Sequence, residues 1–154
     1  MRIRELEQGD SGSAMRLMLE LYDESPVSST FDHRPSADEL GGVLSGKLDG
    51  IAAGSIVDLV AEDRGRMVAE CELVGTGSGS GVIGIMVEPG SRRKGLGRKL
   101  IFRAMRLAAG IGVTRAYANV RRENRSALAF FESCGFTRED GAEIVVMSRS
   151  VSGA

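Results

Sequence analysis

The period of apolar positions changes repeatedly along the chain, and each change marks a predicted element. Alternation in MRIREL predicts an opening strand, after which Ala14, Leu17, Met18, Leu21 and Tyr22 fall at helical spacing behind an N-cap at Asp10 or Ser11. The polar segment SPVSSTFDHRP reads as a loop, and its His33 is open to a surface or a functional role. Ser36 to Glu39 has the form of a capping box, and Leu40, Val43, Leu44 and Leu48 lay down a second helical stripe. SIVDLVAE and MVAECELVG, separated by the turn EDRGR, predict a hairpin whose second strand carries Glu70 and Glu72 on one face.

The stretch GTGSGSG has no packing residues and suits a hairpin tip, whereas VIGIMVEP is nearly all apolar and reads as a strand buried in the middle of a sheet. A third helix follows, with Leu96, Leu100, Ala104, Leu107 and Ala108 on one face and Arg98, Lys99, Arg103 and Arg106 on the other. Gly110 or Gly112 ends it, and VTRAYANV is the next strand. Asn124 is placed to cap a short helix through Ala127, Leu128 and Phe131 that ends near Gly135, and AEIVVMSRSV closes the chain as a strand. Helices, an antiparallel hairpin, then strand-helix-strand-helix-strand indicate a mixed α/β sheet in one domain spanning residues 1–154.

Composition narrows the class. With 42% hydrophobic and 27% charged residues the balance is globular, and no apolar run approaches the roughly 20 residues of a membrane span. The N-terminus lacks the apolar core of a leader, and Cys71 and Cys134 have neither disulfide-framework nor metal-ligand spacing, so a cytoplasmic location without metal or membrane attachment is expected. A net charge of −1 hides an asymmetry: residues 1–80 hold 7 basic and 15 acidic side chains, residues 81–154 hold 13 and 6. The C-terminal half could serve an anion and the N-terminal half a cation, or the surface could simply be unevenly charged.

The segment EPGSRRKGLGRKLI concentrates the candidate chemistry. It puts Gly95, Gly97 and five basic residues at a helix start, where about four unpaired amides and the helix dipole favour phosphate. Gly90 and Gly95 have the spacing of a Walker loop, but Leu96 and Gly97 stand where it needs lysine and a hydroxyl; a dinucleotide fingerprint would need glycine at position 100, which is Leu100. Nucleic acid is not expected as a partner, because the chain is acidic overall and only 5% aromatic.

VIGIMVEPGSRRKGLGRKLI instead resembles the cofactor motif R/Q-x-x-G-x-G/A of the GNAT superfamily of acetyl-CoA-dependent N-acetyltransferases, and NRSALAFFESCGF is similar to that family's second signature, N-x-x-A-x-x-x-Y-x-x-x-G-F. The two occur in order, and the resemblance covers nearly the whole chain. It implies a mixed, mostly antiparallel central sheet flanked by helices, with acetyl-CoA as the acetyl donor and direct attack by an amine, so that neither cysteine serves as a nucleophile. It also implies that backbone groups of Ile85, Met86 and Val87 pair with the pantetheine arm, with an amide near Met86 or Val87 holding the oxyanion. Amides of Arg93, Lys94, Gly95, Leu96, Gly97 and Arg98 hold the pyrophosphate, supported by Arg92, and Asn124 and Phe131 lie beside the cofactor.

Three positions at which the family carries proton-transfer groups read Phe131, Asn119 and Gly81 here. A thiol of pKa about 8.5 leaves readily, so a missing acid costs at most about 2 kcal/mol. The missing base costs little for an α-amine of pKa about 8 and more for an alkyl amine at about 10.4. Glu70 and Glu72 are the candidate bases, acting through water, unless they are solvated strand-face carboxylates; Tyr117, on the face of Asn119, is the candidate acid. The acceptor is expected to be a small-molecule or peptide amine, and a homodimer is the commonest oligomeric outcome. A non-catalytic acyl-CoA-binding or sensing module is the alternative.

Overall fold

The structure, a computed structural model, describes every residue except Thr30, which belongs to the SPVSSTFDHRP loop, and Asp140. In chain order the elements are β1 (Arg2–Glu5), α1 (Ser11–Glu24), α2 (Ala37–Ala53), β2 (Ile56–Asp63), β3 (Arg66–Gly75), β4 (Ser80–Val87), α3 (Leu96–Ala109), β5 (Arg115–Arg121), α4 (Arg125–Ser133), β6 (Thr137–Glu139) and β7 (Ile144–Ser150). The strands form a seven-stranded sheet in the order β1-β2-β3-β4-β5-β7-β6, antiparallel at every pairing except β4 with β5. This is the mixed, mostly antiparallel sheet flanked by helices that the resemblance implies.

Local chemistry sets the element ends. At the start of α2 the Ser36 hydroxyl accepts from the Glu39 amide at 3.1 Å and the Glu39 carboxylate accepts from the Ser36 amide at 3.1 Å, while Gly54 at φ 74° stops the helix. His33 is exposed between Asp32 and Glu39, its ring nitrogens 2.6 and 2.7 Å from their carboxylates. Asp10 does occupy the N-cap position of α1, but its carboxylate accepts from the Arg4 guanidinium and the Glu7 amide rather than from the helix. Between β2 and β3, Arg64 and Gly65 both have positive φ, the backbone that a two-residue hairpin of this twist requires. Strand β6 has no sequence signal, since its three residues are all exposed and show no apolar alternation.

Two cores lie on opposite faces of the sheet. Leu100, Ile101 and Met105 of α3 and Leu128 and Phe131 of α4 pack on one face, and Leu17 of α1 and Leu40 and Leu44 of α2 pack on the other. Leu107 and Val43, expected inside, are exposed. In α3 the buried stripe is turned toward Ile101 and Met105, which leaves Leu107 at its margin.

Strand β4 departs most from expectation. Its side chains alternate between the two faces, and on the α1/α2 face Val82 is 40% exposed, Gly84 is open and Met86 is half-buried. The run VIGIMVEP is therefore central but covered on one face only. The helices α1 and α2 pack chiefly over β2 and β3, and the surface over β4 and β5 remains accessible.

Candidate active site

The open face of β4 meets a break in the sheet. Strands β4 and β5 pair at Ser80–Arg115, Gly81–Ala116 and Val82–Tyr117 and no further, so the rest of β4 has an unpaired edge. The β3 register decides which groups face that edge. Because the Glu88 amide donates to the Val68 carbonyl at 2.9 Å, the even-numbered residues of β4 bond to β3 and the odd-numbered ones point the other way. Ile85 thus presents both its amide and carbonyl to the gap and Val87 its amide, while the Val87 carbonyl accepts from Arg92 Nε at 2.8 Å. Met86, expected to share this role, is corrected: its backbone is opposite Glu70 and is used by the sheet.

At the end of β4 the chain turns into α3 through Arg93 at φ 61° and Gly95 at φ 78°, two left-handed residues that direct successive amides to one side. Among the described residues, the amides of residues 93–98 have no acceptor; the first helical bond is Lys99 to Gly95, and no side chain caps the helix. A side chain at Gly95 would enter open space, whereas one at Gly97 would begin 3.1 Å from Phe130. What this turn offers an anionic group is therefore backbone amides. The basic side chains are more committed than the sequence implies: Arg92 pairs with Glu24 at 2.7 Å, Arg98 donates to the Ser133 carbonyl at 2.6 Å, and Lys94 donates to the Gly90 carbonyl at 3.1 Å.

Other expected residues divide. Asn124 caps α4, accepting from the Ala127 amide at 3.3 Å. Leu96 is buried, and so is Phe131, 5% exposed and edge-on to Phe130 and Phe136; its ring is part of the core. Burial pushes the thiols of Cys71 and Cys134 up, away from the thiolate a nucleophile needs.

Glu70 and Glu72 do share a face, the one toward α2, but Glu70 is not a solvated carboxylate: it is 1% exposed. Asp58 of β2 is fully buried beside it, and one oxygen each from Asp58, Glu70 and Glu72 lies within 4.8 Å of the others. Lys47 of α2 is their cation, in contact with Glu70, 3.4 Å from Glu72 and 3.6 Å from Asp58. Glu72, its side chain 28% exposed, forms the outer end of the cluster, opposite Gly84. Burial first, and then the charge of Glu70, push the Asp58 carboxyl up to about 10. Lys47 moves above its ordinary range because the carboxylate charges, Glu70 foremost, outweigh the burial that would lower it.

Lys47 and Asp58 are absent from the sequence-based candidates, although both left a signal. Lys47 falls on the stripe of Leu40, Leu44 and Ile51, and Asp58 alternates with Val60 in an apolar strand.

A family model described as the acetyltransferase (GNAT) family matches residues 14–136. The chain belongs to that family. No curated protein sequence matches it. Among solved structures it is similar to a ribosomal-protein-alanine N-acetyltransferase from Brucella melitensis, at TM-score 0.81 and 18% identity over 97% of this chain and 99% of that one. It is also similar to a spermidine N-acetyltransferase from Vibrio cholerae in complex with CoA and spermine, at 0.77 and 24% over 98% and 95%. A phosphinothricin acetyltransferase from Sinorhizobium meliloti in complex with AcCoA follows at 0.80 and 17% over 97% and 87%.

As a GNAT acetyltransferase, the protein is of the acyltransferase class, and packing explains one of its unusual positions. A Cβ at Gly81 would lie 2.5 Å from Leu73 Cδ2 and 3.1 Å from Val113, so a larger residue there requires these buried side chains to move. Asn119 and Tyr117 lie on the same open face as Val82, with Asn119 exposed and Tyr117 half-buried. Among the described residues no helix is long and apolar enough to cross a membrane.

Proposed function

We propose that this protein transfers the acetyl group of acetyl-CoA to a primary amine of a small molecule or peptide by direct attack, with Glu72 accepting the amine proton directly or through water. The observation that carries the reading is the break between β4 and β5 beyond Val82, which opens beside the acceptor-free amides at the start of α3. An extended arm ending in phosphates has what it needs here: strand-like pairing to Ile85 and Val87, then the amides of residues 93–98. Arg93 and Lys99 add charge without an ion pair among the described residues.

Acetyl-CoA supplies an activated thioester, so that the ammonium form of the acceptor and acetyl-CoA give the N-acetyl amine, CoA thiol and one proton. The chain must dispose of that proton. An alkyl amine of pKa about 10.4 costs about 5 kcal/mol to deprotonate at pH 7, more than the missing acid costs on the thiol side. Glu72 faces the space over Gly84, on the side from which an acceptor reaches the gap. Its position favours cationic amines, and the amine or protein substrates named for the similar structures suit that class.

Calorimetry with CoA and an acetylation assay over a panel of alkyl, α-amino and peptide amines test the reading. CoA binding together with thiol release dependent on an amine is the expected result. Binding without turnover on any amine would overturn it in favour of a non-catalytic acyl-CoA-binding module.

A further inference from the structure

Asp58 and Glu72 stand directly opposite on β2 and β3 in a non-hydrogen-bonded pair, the arrangement that brings facing side chains closest, and like charges there repel. Neither oxygen of Asp58 has a hydrogen-bond partner among the described residues, and neither has Glu70 Oε2, although both side chains are more than nine-tenths buried. Bare carboxylate oxygens in such a place are costly. Three ionised carboxylates against one ammonium would leave two uncompensated negative charges under α2. One proton relieves both problems, because a carboxyl O–H on Asp58 donates to Glu70, leaving one rather than three of these oxygens without a partner, and lowers the count to a single excess negative charge.

We propose that Lys47 is a positioning residue of the acetyl-transfer site, holding the Glu72 carboxylate toward the space over Gly84 while a proton on Asp58 bridges it to Glu70 beneath. The inference rests on the reading of Glu72 as proton acceptor. The geometry makes Lys47 the link, since its ammonium contacts Glu70 and reaches Glu72 at 3.4 Å. The elements packed around it contribute Lys47 from α2, Asp58 from β2 and Glu70 and Glu72 from β3, while β4 contributes the uncharged Gly84 and Met86. Tyr117 and Arg115 of β5 lie further along that face, opposite Val82 and Ser80. Asp58, pushed up to about 10, stays protonated across the working range, so the excess charge resides at the exposed end, on Glu72. A proton arriving from an acceptor ammonium is taken up at Glu72 and leaves from there to solvent, with Asp58 and Glu70 unchanged.

The pH dependence of kcat/KM separates this role from a merely structural one. In Lys47→Met the acidic limb should move up by about one pH unit or more, so that kcat/KM falls about tenfold at pH values below the limb and is recovered on the plateau above it. Lys47→Arg should restore the limb, as should the charge-balanced double variant Lys47→Met with Glu70→Gln. A uniform loss at every pH with the limb unmoved would overturn the inference. Should Lys47→Met fail to fold, as read by lost CoA binding, a double variant that folds with a displaced limb overturns it equally. Glu72→Gln at the wild-type rate would remove Glu72 as acceptor and this inference with it; an impaired Glu72→Gln beside an unmoved limb in Lys47→Met would remove this inference alone.

Discussion

Glu72 on β3 stands opposite Gly84 on β4, and no atom lies within 4 Å of the point where a side chain at Gly84 would begin. The backbone at Gly84 is ordinary extended strand, so a residue with a side chain can occupy it without strain. Gly84→Val should therefore fold normally and bind CoA as before. Its branched side chain fills the space in front of Glu72, and acetylation should fall by about 10²-fold. Calorimetry for CoA beside the amine assay checks this, and equal loss of both would move the acceptor elsewhere.

Gly95→Glu should abolish CoA binding. The residue has φ 78° and faces open space, so the substitution costs about 1–2 kcal/mol of left-handed backbone without an internal clash. The new carboxylate, however, stands among the amides of residues 93–98, where an anion is expected. Gly95→Ala controls for the backbone cost. Unchanged affinity in Gly95→Glu, measured by calorimetry, would count against the phosphate assignment.

Stability should fall with rising pH through Asp58. Its folded-state pKa is raised to about 10, so the folded protein keeps a proton that the unfolded chain loses above about pH 4. That contribution is complete below about pH 4 and is lost as pH climbs toward about 10, by at most about 1.4 kcal/mol per unit. Asp58→Asn keeps the shape and removes the titration. Scanning calorimetry should show its Tm above wild type near pH 8 and close to it near pH 4.5; parallel profiles would mean that Asp58 is ionised in the fold.

Phe131→Ala should behave as a core deletion. The ring is buried edge-on against Phe130 and Phe136. Its removal should cost about 3–5 kcal/mol in urea unfolding. A small stability loss with a large loss of CoA affinity would instead put the ring against the ligand.

Much of this fold is legible in one dimension because its cause is local. The Ser36–Glu39 capping box, the turn at Arg64 and Gly65, and the helical stripes on α1 and α3 each depend on residues within a few positions of one another. The same holds for the proposed anion site at α3: glycines at 95 and 97 and a helix start are sufficient to leave amides without acceptors, and family resemblance then suggests the ligand. Leu107 lies on the periodic stripe yet is exposed, because a stripe counted from periodicity alone does not show which edge the neighbouring elements cover.

The tertiary structure decided what the chain's carboxylates are. Side by side in the sequence, Glu70 and Glu72 look equivalent, yet one is sealed beneath α2 and the other is partly exposed opposite Gly84. Lys47, Asp58 and Glu70 are brought together from α2, β2 and β3 by the pairing register and by the helix laid across it. It also decided that Ile85 and Val87, rather than Met86, face the break in the sheet. A sequence specifies which groups can ionise or donate; which of them lose water, and which charges they then meet, depends on strands and helices that come together only in three dimensions.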